Sequence, residues 1–245
     1  MEFDTWFEPR HVAIVTGASQ GFGRAVATEL ARAGLSLVID ARGTEALQAA
    51  ERELAAVTGV VAIAGDVADR SHVHALVDAA QGRFGRIDLI VNNASTIGRS
   101  PLPWLEGLSP HILERIYATN LFAPLHLIRH ALPIMRRTGG TIVNVTSDAA
   151  VAAYEGWGGY GSSKAALEGA SRVLAAELAG SHINVLVADP GDMDTALHAS
   201  AVPGADRAAL ADPKRIAPLL LAAIAAQRET FARVTLQDLG IGATA

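Results

Sequence analysis

Six short runs of apolar, mostly β-branched residues constrain the fold more than any other feature of this chain. They lie at residues 12–16, 36–40, 60–64, 89–92, 141–146 and 184–188. Each is continuously apolar instead of alternating, which predicts burial on both faces and therefore parallel strands. Stretches of helical periodicity fall between them, at 23–33, 44–57, 70–84, 110–135 and 160–179. Ser109 before Pro110 makes a good helix start, a capping hydroxyl followed by a proline whose missing N–H costs nothing there. The β-then-α order predicts an α/β fold: a Rossmann-type doubly wound parallel sheet, helices on both faces, right-handed crossovers. A seventh strand is expected at 231–236, followed by a short Gly/Ala tail.

No linker, charge block or repeat divides the 245 residues, so one domain is expected over 1–245. The least regular stretch, 191–212, follows the sixth strand at the carboxyl edge of the sheet. A long irregular connection there is expected to be a substrate-binding lid within that domain. Half of the residues are apolar and only 18% are charged, which argues against disorder, and a net charge of −5 leaves no footprint for nucleic acid. The absence of cysteine removes disulfides, thiolate catalysis and Cys-ligated metal at once. The acidic start lacks the order of a signal peptide, and the longest apolar run, 216–226, is broken by Pro218 and too short to span a bilayer. The expectation is a cytoplasmic protein without membrane contact.

The first strand runs into Thr16-Gly17-Ala18-Ser19-Gln20-Gly21-Phe22-Gly23, and a helix begins at once. Glycine is what such a turn asks for: a tight reversal, backbone N–H groups brought close to a pyrophosphate, and a helix laid against the strand. The helix N-terminus then offers unpaired N–H groups and a partial positive charge to phosphates. Further along, Tyr160 and Lys164 stand four apart on one helix and so share a face. A phenol is a poor base at neutral pH, and a cation one turn away favours its phenolate. Ser147 ends the fifth strand, where its hydroxyl can hold a substrate carbonyl. Asn120 falls mid-helix, where Asn is a mediocre helix former and needs a reason.

The Gly-x-x-x-Gly-x-Gly spacing, the Tyr-x-x-x-Lys pair and the Ser147-to-Tyr160 separation resemble the short-chain dehydrogenase/reductase family. The resemblance extends to Asn92-Asn93-Ala94, with Ser95 standing where the family has Gly, and covers nearly the whole chain. It implies an NAD(P)-dependent oxidoreductase moving a hydride between nicotinamide and a carbonyl or secondary alcohol. In that reading Tyr160 is the general acid or base, Lys164 lowers its pKa and holds ribose hydroxyls, Ser147 positions the reacting oxygen, and Asn120 distorts its helix and holds a water of the proton relay. Gly17, Ser19, Gln20, Gly21, Phe22 and Gly23 would cradle the pyrophosphate, Asp66-Val67 the adenine, and Asn93 and Ala94 the cofactor's inner face. Pro190, Gly191 and Thr195 would fix the nicotinamide.

The second strand's end decides between cofactors. An acidic residue on the ribose favours NAD, an Arg on the 2′-phosphate NADP. In the family's register the deciding position is Ala41, with Arg42 next, and strand alternation turns Asp40 away. NADP(H) is therefore favoured over NAD(H), although Gln20 stands where many NADP-preferring relatives carry Lys or Arg. Tyr154, Trp157 and Met193, with Ser147, are expected to touch substrate. His126 and His130 share a helix face without a further ligand, and no metal is expected. The resemblance also implies a homodimer or homotetramer through the 110–135 and 160–179 helices. A non-catalytic dinucleotide sensor or scaffold, and epimerase or dehydratase chemistry, are the competing readings.

Overall fold

The computed structural model describes residues 6–241; the acidic start at 1–5 and the end of the tail at 242–245 lie outside them. Seven parallel strands form one sheet in the order β3-β2-β1-β4-β5-β6-β7. They are β1 (Val12–Val15), β2 (Ser36–Ala41), β3 (Val60–Ala64), β4 (Leu89–Asn92), β5 (Gly140–Val145), β6 (Ile183–Asp189) and β7 (Phe231–Thr235). The strand order reverses beside β1, and doubly wound sheets bind their ligands in the crevice this reversal opens at the carboxyl ends.

The helices are α1 (Gly21–Arg32), α2 (Thr44–Ala55), α3 (Arg70–Phe84), α4 (Pro110–Tyr117), α5 (Ala123–Met135), α6 (Gly158–Glu177), α7 (Ala196–Ala201), α8 (Pro213–Ala226) and α9 (Leu236–Ile241). Alternation along β1 shows why the strands read as continuously apolar. Ala13 and Val15 pack with α1, α2 and α8 on one side, while Val12 and Ile14 pack with α3, α5 and α6 on the other. Both faces are therefore dry, and each strand contributes side chains to two cores.

Four differences from the sequence-based expectation matter for the site. Helix α1 starts at Gly21, two residues early, so its N-terminus comes nearer the glycine turn. The helix expected over 110–135 is interrupted by a π-helical turn, Ala118–Phe122, with Asn120 at its centre. Ser109 does cap α4, accepting from the Ile112 N–H. The 191–212 stretch is more ordered than a loose connection: it contains α7, and its ends are pinned by Asp194 N–H to Ala211 carbonyl (2.9 Å) and Ala211 N–H to Asp192 carbonyl (3.2 Å). Finally, β7 runs into α9 instead of a tail, and Gln237 of α9 donates to the carbonyls of Pro190 and Asp192.

Candidate active site

The glycine turn is held in place by polar groups from three strands. Gly17 has φ +67°, a conformation a side chain resists, and its N–H donates to Asp40 Oδ1 at 2.7 Å. The other Asp40 oxygen meets His72 Nε2 at 2.9 Å, so both carboxylate oxygens are engaged by protein groups although Asp40 lies in the cleft wall. Thr16 Oγ1 accepts from the N–H groups of Asn93 and Ala94, and the Asn93 amide donates to the Thr16 carbonyl at 2.8 Å. Asn93 thus braces the turn with the side chain expected to face the cofactor. Gly23 lies beneath the turn and not in the cleft wall; a Cβ there would sit 2.5 Å from the Gly17 carbonyl oxygen and collide with the Asn93 amide.

A single cleft of about 440 Å³ runs from this turn across the carboxyl ends of the strands, within the range of small-molecule sites. Its walls include Gly17, Ser19, Gln20, Gly21 and Phe22, then Ala41, Arg42, Asp66 and Val67. Asn93, Ala94, Tyr160, Lys164, Pro190, Gly191 and Thr195 complete the set expected at a dinucleotide. No side chain caps the N-terminus of α1. That leaves its first N–H groups to an anion. Arg42 is exposed at the end of β2 with no acidic partner among the described residues. The uncapped helix end, the turn that a Cβ would fill and the free guanidinium fit a phosphorylated dinucleotide.

At the other end of the cleft Ser147, Tyr160 and Lys164 line the wall, while Asn120 lies buried outside it. Tyr160 and Lys164 come from α6, Ser147 follows β5, and Asn120 sits in the π turn. Buried polar contacts fix α6 to the sheet: Asn92 donates to Asn144 (2.8 Å), Asn144 to Ser171 (2.8 Å), and Thr146 to Glu168 (2.8 Å). Asn120 donates to the Thr96 carbonyl (2.9 Å) and Ser163 Oγ (3.0 Å), and accepts from Thr96 N–H (2.9 Å) and Ser95 Oγ (3.2 Å). Two donors and two acceptor sites are all an amide has. The Asn120 side chain is therefore spent on protein, with none left for the relay water expected of it.

Burial governs the electrostatics. Lys164 is 2% exposed, donates to the Val145 carbonyl at 2.8 Å, and has Nζ 5.6 Å from the centre of the Tyr160 ring. Loss of solvation brings its ammonium down to about 8, partly offset by the charge of Asp189. Burial likewise pushes the Tyr160 phenol up to about 12, against hydrogen bonds from the Ser95 and Ser147 hydroxyls that lower it and with the charges of Asp189 and Asp148 that raise it further. The expected pull of Lys164 toward phenolate is thus overridden in the protein by itself, because desolvation disfavours both charged forms. Asp189, buried at the end of β6, is raised by that burial and held by the Gly191 N–H and the charge of Arg233.

Of the side chains expected at substrate, Ser147, Trp157 and Met193 line the cleft. Trp157 meets the Tyr160 ring edge-on, centroids 5.6 Å apart. Tyr154 does not line it; half-exposed, it donates its hydroxyl to Asp148 at 2.7 Å. Ser95, Asp148 and Asp189 were missed as site residues. Ser95 had been visible only as a departure from the family's glycine, and Asp189 as an acid closing an apolar strand. His130 stacks on His74 of α3 instead of pairing with His126, and no group of three or more metal-ligating side chains occurs among the described residues. Nor is any helix among them long and apolar enough to cross a membrane.

The family model for short chain dehydrogenases matches residues 11–206. The chain belongs to the short-chain dehydrogenase/reductase family. It is similar to the NADPH-dependent pterin aldehyde reductase of Arabidopsis thaliana, 34% identical over 193 residues covering 75% of each chain. A 3-oxoacyl-acyl-carrier-protein reductase of rhamnolipid biosynthesis in Pseudomonas aeruginosa is 35% identical over 186 residues, covering 74% of this chain and 72% of the relative. Among solved structures, an alcohol dehydrogenase from Thermococcus sibiricus complexed with 5-hydroxy-NADP superposes with a TM-score of 0.81 at 28% identity, covering 91% of this chain and 95% of that one. As a short-chain dehydrogenase/reductase with this nucleotide-binding fold, the protein is an oxidoreductase acting on CH–OH and C=O groups.

Proposed function

We propose that this protein is an NADP(H)-dependent carbonyl reductase or alcohol dehydrogenase whose acid–base group is Tyr160. A bound nicotinamide would supply or receive the hydride. In reduction Tyr160 gives its hydroxyl proton to the substrate oxygen, and in oxidation it takes one back. A phenol kept protonated by burial suits the acid role. Lys164, held on the Val145 carbonyl, is placed to hold ribose hydroxyls, and Ser147 positions the reacting oxygen. Asn120 acts on this site through the backbone, by locking the π turn against Ser95, Thr96 and Ser163.

The observation that carries the reading is the convergence of Ser147, Tyr160 and Lys164 in one cleft with the glycine turn. Arg42, without an acidic partner among the described residues, favours the 2′-phosphate of NADP, and Asp40, committed to Gly17 and His72, is not free for a ribose. The NADPH-dependent relative and the neighbour bound to an NADP derivative point the same way. Residues 191–212 serve as the substrate-side wall, carrying Met193 into the cleft and Thr195 onto the glycine turn. Half-exposed Phe122 in the π turn and exposed Val173 on α6 fit a homo-oligomer built on these helices.

The test is direct. Protein mixed with NADPH or NADH and a panel of ketones, quinones and keto-esters is followed by loss of nicotinamide absorbance. Turnover that prefers NADPH supports the reading. Tight nucleotide binding with no turnover on any carbonyl would favour a sensor instead.

A further inference from the structure

The bend that follows β6 is held from both sides. On one side Asp189 Oδ1 accepts the Gly191 N–H at 3.0 Å. On the other, the amide nitrogen of Gln237 lies 3.1 Å from the Pro190 carbonyl and 3.1 Å from the Asp192 carbonyl, which flank Gly191. A carbonyl only accepts, so both hydrogens of the Gln237 amide are committed to the bend. The side chain occupies space that only a glycine leaves open. A Cβ on Gly191 would stand 2.5 Å from the Gln237 nitrogen, and Gly191 has φ +70°. The topology brings these partners together. Thr235, the last residue of β7, pairs with Asp189, the last of β6, so α9 begins beside the bend. Leu236 is fully buried in the core cluster that contains Met193, Ile216 and Leu220, which anchors the start of α9, and Gln237 follows it.

Pro190, Gly191 and Asp192 line the cleft, whereas Gln237 does not. We propose that Gln237 is a positioning residue for the nicotinamide half of the cofactor: from behind the cleft wall it sets the shape of the 190–192 bend against which the ring would rest. The groups read as holding the phosphates and the adenosine, the glycine turn and Arg42, come from the β1–α1 connection and the end of β2. Gln237 therefore acts on one half of the cofactor only. A Met in its place keeps the length of the side chain and loses both donors. A Glu turns an oxygen toward two carbonyl oxygens, and like partial charges then push the bend away from α9.

The proposal rests on the reading of the cleft as a nicotinamide-dinucleotide site, and its test separates the two. Gln237→Met and Gln237→Glu are titrated in a calorimeter with NADPH and with 2′-phospho-ADP-ribose, the same nucleotide without its nicotinamide. Loss of two hydrogen bonds should weaken NADPH about tenfold in Gln237→Met and further in Gln237→Glu, while the fragment binds within about twofold of the wild type. Single-turnover hydride transfer from saturating NADPH should slow by about tenfold or more, because a loosely held ring is seldom in line with the substrate carbon. Equal weakening of NADPH and of the fragment would make Gln237 a prop of the fold and overturn the proposal. So would wild-type affinities together with a wild-type hydride step, which would show that Asp189 holds the bend unaided. Nucleotide binding without turnover on any carbonyl would instead refute the functional reading, and the ratio of the two affinities would still decide for or against Gln237.

Discussion

Replacing Lys164 by Met tests how far burial governs the site. The ammonium lies fully inside the protein, and its pKa falls from the ordinary 10.5 to about 8. At about 1.36 kcal/mol per pH unit, that fall costs the folded state about 3 kcal/mol wherever both folded and unfolded chains carry the proton. A group whose folded pKa is depressed in this way leaves the unfolded chain with more bound protons between the two values. Stability contributed by this site therefore rises as pH climbs from about 8 to about 10.5. In Lys164→Met the titration is gone, while the lost hydrogen bond to Val145 adds an offset that pH does not change. Denaturant unfolding of both proteins at intervals from about pH 7 to pH 10 should give a difference curve that climbs by roughly 2–3 kcal/mol in favour of the wild type, the rest of the change falling above pH 10. A flat difference curve would mean that Lys164 is not desolvated, and the electrostatic account of the site would fail with it.

Further substitutions separate the roles of the cleft residues. Arg42→Ala removes a charge-assisted contact of about 1.5–3 kcal/mol and should weaken NADPH binding about tenfold or more, leaving NADH little changed; equal losses in titration calorimetry would refute the 2′-phosphate role. Asp40→Ala leaves the Gly17 N–H and His72 without their partner and should lower stability by about 1–3 kcal/mol in chemical unfolding. Its ratio of NADPH to NADH affinity should stay as in the wild type, and a swing toward NADPH would put Asp40 on the ribose after all. Gly23→Ala forces a methyl group onto the Gly17 carbonyl and the Asn93 amide, and should lose nucleotide binding together with about 1–3 kcal/mol of stability. Normal binding in that variant would show that the turn has room to give.

The sheet was legible because each strand feeds two cores. The Val12-Ala13-Ile14-Val15 run reads apolar at every position for the reason that the structure shows, with alternate residues under opposite helix layers. The glycine turn, the Tyr160–Lys164 helix and the position of Asp40 followed from local spacing and strand alternation. What Asp40 binds did not follow, because Gly17 and His72 are brought to it by the fold. The π turn was foreshadowed by an Asn in mid-helix, yet the contacts that lock it run to Ser95 and Thr96, more than twenty residues away in sequence. Helix α9 was invisible for the same reason: Leu236 to Ile241 carries no strong local signal, and Gln237 finds its partners beyond β6. The direction of the Tyr160 pKa could not be read from Tyr-x-x-x-Lys, since spacing reports a neighbouring charge and says nothing of burial.

The most direct test of the account is a Tyr160→Phe protein measured twice, by NADPH binding and by single-turnover reduction of a carbonyl that the wild type accepts. Removal of the hydroxyl should leave nucleotide affinity within a few-fold of the wild type, because the glycine turn, Arg42 and Lys164 remain. It should also abolish the chemical step, because no other group at the reaction centre is placed to give the proton. Near-normal turnover with intact binding would contradict the assignment of Tyr160 as the acid–base residue.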